Sequence, residues 1–363
     1  MAVEQQVILS AMQSVLDPNT GKDLVSTKAL KNLQIHGGDV SFDVELGYPA
    51  KSQIPALRKA LIAAAKGVAG VENVSVNLTV KIASHSVQRG VQLLPHVKNI
   101  IAVASGKGGV GKSTTAVNLA LALSAEGASV GLLDADIYGP SLPMMMGIEG
   151  RPESTDGKNM EPMENYGLQV MSIGFLVAQD EAMIWRGPMA TQALEQLLRQ
   201  TNWKDLDYLI VDLPPGTGDI QLTLSQRVPM TGAVIVTTPQ DIALLDAKKG
   251  IKMFEKVGVP ILGIVENMAV HVCSKCGHTE HIFGADGGKK MAAEYGMDYL
   301  GALPLDMQIR LQADSGKPTV VADPDGDVAA IYKAIARKVA ITVAAKAKDF
   351  SAKFPTITIS KNT

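Results

Sequence analysis

Cysteine is scarce in this sequence of 363 residues: there are two, Cys273 and Cys276, and both stand in one short stretch. A disulfide-stapled secreted domain needs more cysteines than this, so that class is excluded. Neither sign of charge is in excess, because 34 Lys and Arg residues face 36 Asp and Glu residues. This balance leaves no basic footprint for nucleic acid.

Long hydrophobic runs and a basic N-terminus are also missing. No apolar run reaches the ~18 residues that cross a bilayer. The first residues, MAVEQQ, carry an acid and no Lys or Arg, so we expect no secretory signal. We therefore expect a cytoplasmic protein with no nucleic acid partner and no stable membrane association. The apolar content of 46% is that of a globular enzyme with a sizeable core.

The N-terminal part of the chain, residues 1–85, is predicted to form a small α+β domain. Its apolar periodicity predicts two helices and two strands, over Gln5–Leu16, Ile54–Ala69, Val40–Leu46 and Val71–Ile82. Residues 86–98 keep neither period and are predicted to be a linker.

Residues 99–347 show a different pattern, in which short apolar runs alternate with helical stretches. Continuous apolar runs are typical of strands buried on both faces of a mainly parallel sheet. The predicted fold is therefore a doubly wound α/β domain. Its last helix is predicted over Val328–Ala347, and a polar tail over residues 348–363. The predicted strands are Ile100–Ala104, Val130–Asp134, Leu168–Ile173, Tyr208–Asp212, Ala233–Thr238, Ile261–Asn267 and Tyr299–Leu303.

The first of these strands is followed by SGKGGVGKSTT, which satisfies the phosphate-binding pattern G-x-x-x-x-G-K-[ST]. Glycines let successive N–H groups surround phosphate oxygens, and the next helix adds the positive end of its dipole. Lys112 supplies charge to the β- and γ-phosphates, and the Ser113 hydroxyl is placed to ligate Mg²⁺. The sequence predicts an ATP and Mg²⁺ site built from Gly106, Lys107, Gly108, Gly109, Val110, Gly111, Lys112, Ser113 and Thr114.

A second lysine, Lys107, follows the first glycine of this loop. The form GKGGVGKST resembles the deviant Walker A motif of the MinD/ParA-type ATPases. The resemblance implies that Lys107 reaches across a homodimer to the partner's nucleotide, where a positive group stabilises charge on the γ-phosphoryl. The alternative is a solvated lysine on a loop.

Three aspartates lie at the carboxyl ends of two predicted strands. Asp212 ends YLIVD in the Walker B arrangement and is expected at the Mg²⁺ shell. The PPGTG that follows predicts a switch that senses the γ-phosphate. Asp134 and Asp136 end another strand, and a turn there separates their side chains. The family resemblance implies that Asp136 positions the attacking water, while a capping or turn role stays open for either residue.

Asn267 ends the predicted strand ILGIVEN. By the same resemblance it reads the nucleotide base, with Leu303–Asp306 on the other side of the base pocket. Ordinary turn chemistry of an asparagine at a strand end is the alternative.

The two cysteines form C-x-x-C, which is half of a Cys₄ metal or cluster site. A two-fold symmetric dimer duplicates every residue, so two chains supply four thiolates. A bridging structural zinc, a redox-active pair, and a Cys–His zinc site within one chain that uses His271, His278 or His281 are the alternatives. Zinc and clusters both favour thiolates, so the ligands alone do not separate them.

Taken together, these motifs resemble the Mrp/ApbC family of P-loop ATPases over residues 99–345. The motifs that carry the resemblance are DADIYGPSLP, WRGPM, DLPPGTGD, and ENM followed by C-x-x-C-G-H and IFG. The family implies a 4Fe–4S cluster bridging two subunits and its delivery to apo iron–sulfur proteins, with assembly scaffolds as further partners. The N-terminal domain resembles the small domain of iron–sulfur assembly proteins, but it has no cysteine. A docking or regulatory role is expected for it.

The resulting hypothesis is a homodimeric, ATP-hydrolysing carrier of iron–sulfur clusters. The rival hypothesis is a MinD/ParA-like positioning ATPase with a structural zinc at C-x-x-C. Its membrane form needs bulky anchors that AIARKVAITVAAKAK lacks. A small-molecule kinase would need an acceptor pocket that the sequence does not reveal. Under the first hypothesis the catalytic residues are Lys107, Lys112, Asp136 and Asp212, and the metal ligands are Cys273 and Cys276 for the cluster, with Ser113 and Asp212 for Mg²⁺.

Overall fold

A computed structural model describes residues 3–85, 87–88, 91–154, 156–177 and 187–353, without the side chains of 347–353. Contacts divide the chain into two compact units: Met1–Ala83 with Ala125–Gly127, and Ser84–Ser124 with Ala128–Thr363. Within the described residues, none of the helices has the length and apolar character needed to cross a bilayer.

The small unit combines two helices with a three-stranded sheet. The elements are α1 (Gln5–Gln13), β1 (Leu30–His36), β2 (Asp39–Leu46), α2 (Ile54–Lys66) and β3 (Asn73–Val80). β2 lies in the centre, antiparallel to β1 and parallel to β3. Its alternate residues Val40, Phe42, Val44 and Leu46 are buried, so one face of the sheet carries the core.

The large unit is built on a nine-stranded sheet with the order β11-β10-β9-β4-β8-β5-β7-β6, in which β12 also pairs with β10. β6 and β11 are antiparallel to their neighbours, and the other pairings are parallel. The strands are β4 (Val97–Ala104), β5 (Val130–Asp134), β6 (Met163–Asn165), β7 (Leu168–Ser172), β8 (Leu206–Asp212), β9 (Gly232–Thr237), β10 (Ile261–Val272), β11 (Thr279–Glu280) and β12 (Tyr299–Pro304).

Helices connect these strands, and every residue of β5 and β9 is buried. The structure therefore confirms the predicted α/β fold with a mainly parallel sheet, preceded by a small α+β domain. The helices are α3 (Lys112–Ala125), α4 (Leu142–Met145), α5 (Gly187–Arg199), α6 (Asp219–Arg227), α7 (Asp241–Lys256), α8 (Gly287–Glu294), α9 (Met307–Asp314), α10 (Thr319–Ala322) and α11 (Asp327–Lys353).

Several elements begin or end away from their predicted limits. β10 runs five residues past Asn267 to Val272, because the apolar alternation of MAVHV continues the strand. It does so through a bulge in which Met268 has a φ of +57°. α11 continues into the predicted tail as far as Lys353, since no Gly or Pro interrupts KAKDFSAK. β1 was not predicted, and a bulge with Asn32 at a φ of +52° breaks its alternation.

Candidate functional site

The phosphate loop lies between the end of β4 and the start of α3, at the carboxyl edge of the sheet. Gly111 has a φ of +81°, and a Cβ there would lie 2.2 Å from the Asn267 side-chain nitrogen. A Cβ on Gly106 would lie 2.1 Å from the backbone carbon of Asp246. Glycine is therefore required at both positions, by conformation and the adjacent Asn267 side chain at Gly111, and by close backbone approach at Gly106.

Four of the predicted site residues meet beside this loop. The Lys112 ammonium lies 2.6 Å from Asp212 Oδ1 and 3.9 Å from Asp136 Oδ2. It also lies 3.3 Å from the Ser113 hydroxyl. Lys112 and Asp212 are both buried, which strengthens their attraction relative to an exposed pair. The cluster forms because β5 and β8 are neighbours in the sheet and both end in an aspartate.

Asp134 and Asp136 point to different partners, as the predicted turn requires. The buried Asp134 carboxylate accepts hydrogen bonds from the backbone N–H of Asp136, Ser141 and Leu142, at 3.1, 3.1 and 3.2 Å. The Ser172 hydroxyl donates a fourth, at 3.1 Å. Asp134 thus holds together the loop that places Asp136 beside the phosphate site. Sequence reasoning left its role open, although the pair of aspartates at a strand end was the available signal.

Burial shifts the acid–base behaviour of all three carboxyl groups. Desolvation, with the nearby charge of Asp212, raises the pKa of Asp134 to about 7. Desolvation also raises the pKa of Asp136 and of Asp212, and the Lys112 charge opposes both shifts. Each carboxyl group therefore holds a proton more readily than an exposed aspartate.

The donor set near Asp212 fits a hard divalent cation. Asp212 Oδ2 is buried and has no hydrogen-bond partner within the described part of the chain. A carboxylate and a hydroxyl, here Asp212 and Ser113, are the oxygen ligands that Mg²⁺ takes in nucleotide sites. An orphaned buried oxygen in that position is satisfied by a cation or by one of its water ligands.

The second lysine of the loop is placed quite differently from the first. Lys107 is exposed, and none of the described carboxylates lies within 4.0 Å of its ammonium group. Its backbone carbonyl accepts a hydrogen bond from the Ser105 hydroxyl at 2.9 Å. The Ser105 carbonyl in turn accepts one from Gly216 N–H at 2.9 Å, which joins the switch segment to the loop.

Asn267 contacts the phosphate loop itself. Its side-chain amide donates to the Val110 carbonyl at 2.9 Å, and the residue is buried. The contact braces the loop on the side of Gly111. Base recognition by Asn267 stays a prediction.

The two cysteines occupy the tip of a hairpin formed by the end of β10 and by β11. Cys273 N–H donates to the His278 carbonyl at 2.9 Å, and Gly277 N–H donates to the Cys273 carbonyl at 2.8 Å. Gly277 has a φ of +71°, which the tight turn requires. Backbone N–H groups of Lys275 and Cys276 point at the Cys273 sulfur and lower its pKa. The turn therefore favours the thiolate and presents Cys276 to solvent.

The nearby histidines are held by the backbone. His271 Nδ1 lies 3.0 Å from the Leu305 carbonyl, and His281 Nδ1 lies 2.8 Å from the Ala269 carbonyl. His278 is exposed, 3.7 Å from Glu280. In the ranges that the structure describes, no three His, Cys, Asp or Glu side chains are grouped to hold one metal ion. The alternative of a Cys–His zinc site within one chain thus has no geometric support here.

The WRGPM motif lies partly outside the described residues, which resume at Gly187. Of its remaining members, Met189 is exposed.

Comparison with known proteins agrees with this geometry. The model of the NUBPL iron-transfer P-loop NTPase (ParA) family matches residues 96–340, and the model of the iron–sulfur cluster assembly protein family matches residues 5–77. An iron-sulfur cluster carrier protein of Pseudomonas fragi is 61% identical over 269 residues, 74% of this chain and 94% of that protein. One of Escherichia coli K12 is 50% identical over 335 residues, 92% of this chain and 91% of that protein.

A solved structure shares the nucleotide-binding part. The nucleotide-binding protein of Archaeoglobus fulgidus in complex with ADP is 38% identical, with a TM-score of 0.56 over 64% of this chain and 90% of that one. With the phosphate loop, the three aspartates and the C-x-x-C hairpin in place, these matches confirm the resemblance drawn from the motifs. The chain belongs to the family of iron-transfer P-loop NTPases, with an N-terminal domain of the iron–sulfur cluster assembly type.

Proposed function

We propose that this protein is an ATP-hydrolysing carrier that binds a labile iron–sulfur cluster and transfers it to apo-proteins. The observation that carries the proposal is the hairpin, which presents one half-buried and one exposed thiol on the same unit as a complete phosphate loop. Membership of the iron-transfer family supports it. The reduced thiols fit a cytoplasmic location.

ATP binds the loop from Gly106 to Thr114, and each nearby side chain has a task. The Lys112 ammonium group neutralises charge on the β- and γ-phosphates. The phosphates compete with Asp212 for this ammonium group. Ser113 and Asp212 hold Mg²⁺, which supplies positive charge against the phosphate oxygens.

The water that attacks the γ-phosphoryl is oriented by Asp136. Its carboxylate lies 3.9 Å from the Lys112 ammonium, and its raised pKa makes it a better proton acceptor than an exposed aspartate. Lys107, exposed and without a carboxylate partner in the described ranges, acts on the nucleotide of a second copy. Dimerisation then gates hydrolysis.

The cluster is cargo, and we propose that two copies of the chain share it. One chain offers Cys273 and Cys276, and a second copy completes four thiolates. Val272, which precedes Cys273, and Ile282, shortly after β11, have about half of their surface exposed, 53% and 52%, and such apolar residues favour association. The proposed cluster is of the 4Fe–4S type. The N-terminal domain, which has no cysteine, serves in docking of scaffold or recipient proteins.

The test is anaerobic reconstitution of the full chain with iron and sulfide, for the wild type, Cys273→Ser and the control Ser274→Ala. Iron, sulfide and zinc are measured with the absorbance spectrum and the native mass. We expect about four iron and four sulfide per two chains in the wild type and the control, and none in Cys273→Ser.

Two other outcomes would contradict the carrier role or the shared site, respectively. Zinc that iron cannot replace would make the cysteines structural and favour the positioning ATPase. A cluster bound by a monomer would remove the shared site. Nucleotide binding is measured on the same samples by calorimetry with Mg·ADP, so that each half of the proposal has its own result.

A further inference from the structure

The cysteine hairpin lies in a segment whose two ends are joined by one side chain, that of Glu266 in β10. Glu266 lies inside β10, with β9 on one side and β12 on the other. Its carboxylate is 1% exposed and accepts hydrogen bonds from the backbone N–H of Gly288 and, at 3.2 Å, of Lys289. These donors begin α8, so the Glu266 side chain closes residues 267–287, which are the last part of β10 and the cysteine hairpin, into a loop that we call the excursion.

This closure is tight and chemically specific. A Cβ on Gly288 would lie 2.7 Å from Glu266 Oε2 and 3.0 Å from Glu266 Cβ, so a larger residue displaces the carboxylate. Two N–H donors at a helix N-terminus stabilise a carboxylate by charge-assisted hydrogen bonds. Hydrolysis as described above makes no use of Glu266, and its burial needs another reason.

The residue after Glu266 touches the phosphate loop. Asn267 donates to the Val110 carbonyl at 2.9 Å, and its amide fills the space beside Gly111. Two consecutive residues of one strand therefore contact the nucleotide loop and the base of the excursion. A shift of the Val110 carbonyl acts on Asn267, which one planar peptide unit joins to Glu266.

Beyond this point the excursion is tied back to the sheet at several places. Leu305 N–H donates to the Val270 carbonyl at 2.8 Å. His281 and His271 reach the carbonyls of Ala269 and Leu305 through their Nδ1 atoms, at 2.8 and 3.0 Å. These hydrogen bonds restrain the backbone between Glu266 and Cys273. Packed, hydrogen-bonded segments of this kind carry coupling between sites.

We propose that Glu266 is a positioning residue, which passes the movement of the phosphate loop, received at Asn267, to the cysteine hairpin. The inference rests on the proposed function, since it joins the nucleotide site to the cargo site of the same carrier. Nucleotide binding changes the conformation of the hairpin only if β10 has two arrangements that bind the nucleotide with different affinities. The reverse also holds, so cargo at the hairpin changes nucleotide affinity by the same factor.

The experiment uses the full chain, reduced and free of metal at the cysteines, with Mg·ADP as the probe. Hydrogen–deuterium exchange of residues 270–283 is measured with and without Mg·ADP, at saturation set by calorimetry. We expect the wild type to change exchange in this segment by about 5-fold or more, the lower end of typical coupling factors. Glu266→Ala should reduce the change below about 2-fold while nucleotide still binds.

Two further variants separate positioning from a loss of folding. Glu266→Gln keeps an oxygen that accepts both hydrogen bonds, so it should restore most of the response. Gly288→Ala displaces the carboxylate from the other side and should behave as Glu266→Ala does. Glu280→Ala, at the exposed arm of the hairpin, is the control and should respond as the wild type does.

The possible failures can be told apart. No binding of Mg·ADP to the wild type would sink the proposed ATPase itself. Binding without any change at the hairpin, or an unchanged response in both Glu266→Ala and Gly288→Ala, would overturn the positioning role and leave the carrier proposal standing.

Discussion

The phosphate loop and the cysteine hairpin belong to one sheet, yet they are held in opposite ways. At the loop, buried side chains fix one another: Lys112 is paired with Asp212, and Asp134 gathers three backbone N–H groups. At the hairpin, backbone hydrogen bonds close the turn, and the thiol of Cys276 faces solvent. A rigid, buried site suits the stabilisation of a transition state. An exposed site on a turn suits a ligand that must be handed to another protein.

The sharpest test of this contrast removes the buried charge. Lys112→Ala deletes the ammonium group that meets the β- and γ-phosphates and leaves Asp212 buried without its partner. We expect hydrolysis to fall by about 10³-fold or more, the scale at which electrostatic groups act on transition states. Steady-state phosphate release measures it, with Ser274→Ala as a control at full activity.

If the two regions fold independently, Lys112→Ala should leave cluster binding at the cysteine hairpin unchanged. Iron and sulfide bound after reconstitution of Lys112→Ala are therefore expected within about 2-fold of the wild type, a factor worth less than 1 kcal/mol. Loss of the cluster together with hydrolysis would show that the sites fold as one unit and would undo the comparison.

A second prediction concerns pH and the buried carboxyl groups. Asp134 has a pKa of about 7 in the folded chain against 3.8 when exposed, so the folded state binds the proton more tightly. Stability from this group is therefore full at low pH and is lost as pH rises from about 4 to about 7, by at most about 4 kcal/mol. Urea unfolding between pH 5 and 8, without Mg²⁺ or nucleotide, should show a smaller decline in Asp134→Asn than in the wild type.

Asp134→Asn keeps one oxygen acceptor and removes the titration, which makes it the matched variant for this slope. Ser274→Ala, in the hairpin, is the control and should keep the wild-type slope, because it removes no titratable group. Equal slopes in the wild type and Asp134→Asn would show that Asp134 stays ionised in the folded chain.

The smallest expected effects come from one substitution made in both regions. Gly111 and Gly277 each have a positive φ, but a Cβ on Gly111 meets the Asn267 amide at 2.2 Å, while one on Gly277 meets nothing within 4 Å. Gly277→Ala should therefore cost about 1 kcal/mol of unfolding free energy from backbone strain alone. Gly111→Ala should cost about 1–3 kcal/mol more through overpacking and should also weaken Mg·ADP binding. Urea unfolding and calorimetry measure both, and equal costs would show that the loop yields as easily as the hairpin turn.

Local patterns in the sequence were enough for much of this architecture. The strand predicted over Val130–Asp134 has the observed limits, because a continuous apolar run ended by aspartate has few other uses in a parallel sheet. The phosphate loop was equally readable, since its glycines, Lys112 and Ser113 act within nine residues of one another. The family followed from the same motifs and is confirmed by the comparisons.

Contacts between distant segments could not be read in the same way. The role of Asp134 depends on Ser172, which the pairing of β5 with β7 brings alongside. The role of Glu266 depends on Gly288 at the start of α8, 22 residues later. No periodic pattern in the sequence predicts this contact. β1 was missed because Asn32 adopts a left-handed conformation that interrupts the alternation of the strand. In each case the deciding partner is set by the fold and not by the neighbouring sequence.

The closed base of the excursion at Glu266 has a consequence for how such a chain can change. Because Glu266 joins β10 to the start of α8, the hairpin beyond Val272 can vary in length and content while β9, β10 and β12 keep their register. Insertions and replacements are tolerated where the ends of a segment lie together. The cysteine hairpin can therefore be exchanged while the nucleotide-binding fold is kept. Such an exchange is a direct way to couple the same hydrolysis cycle to a different cargo.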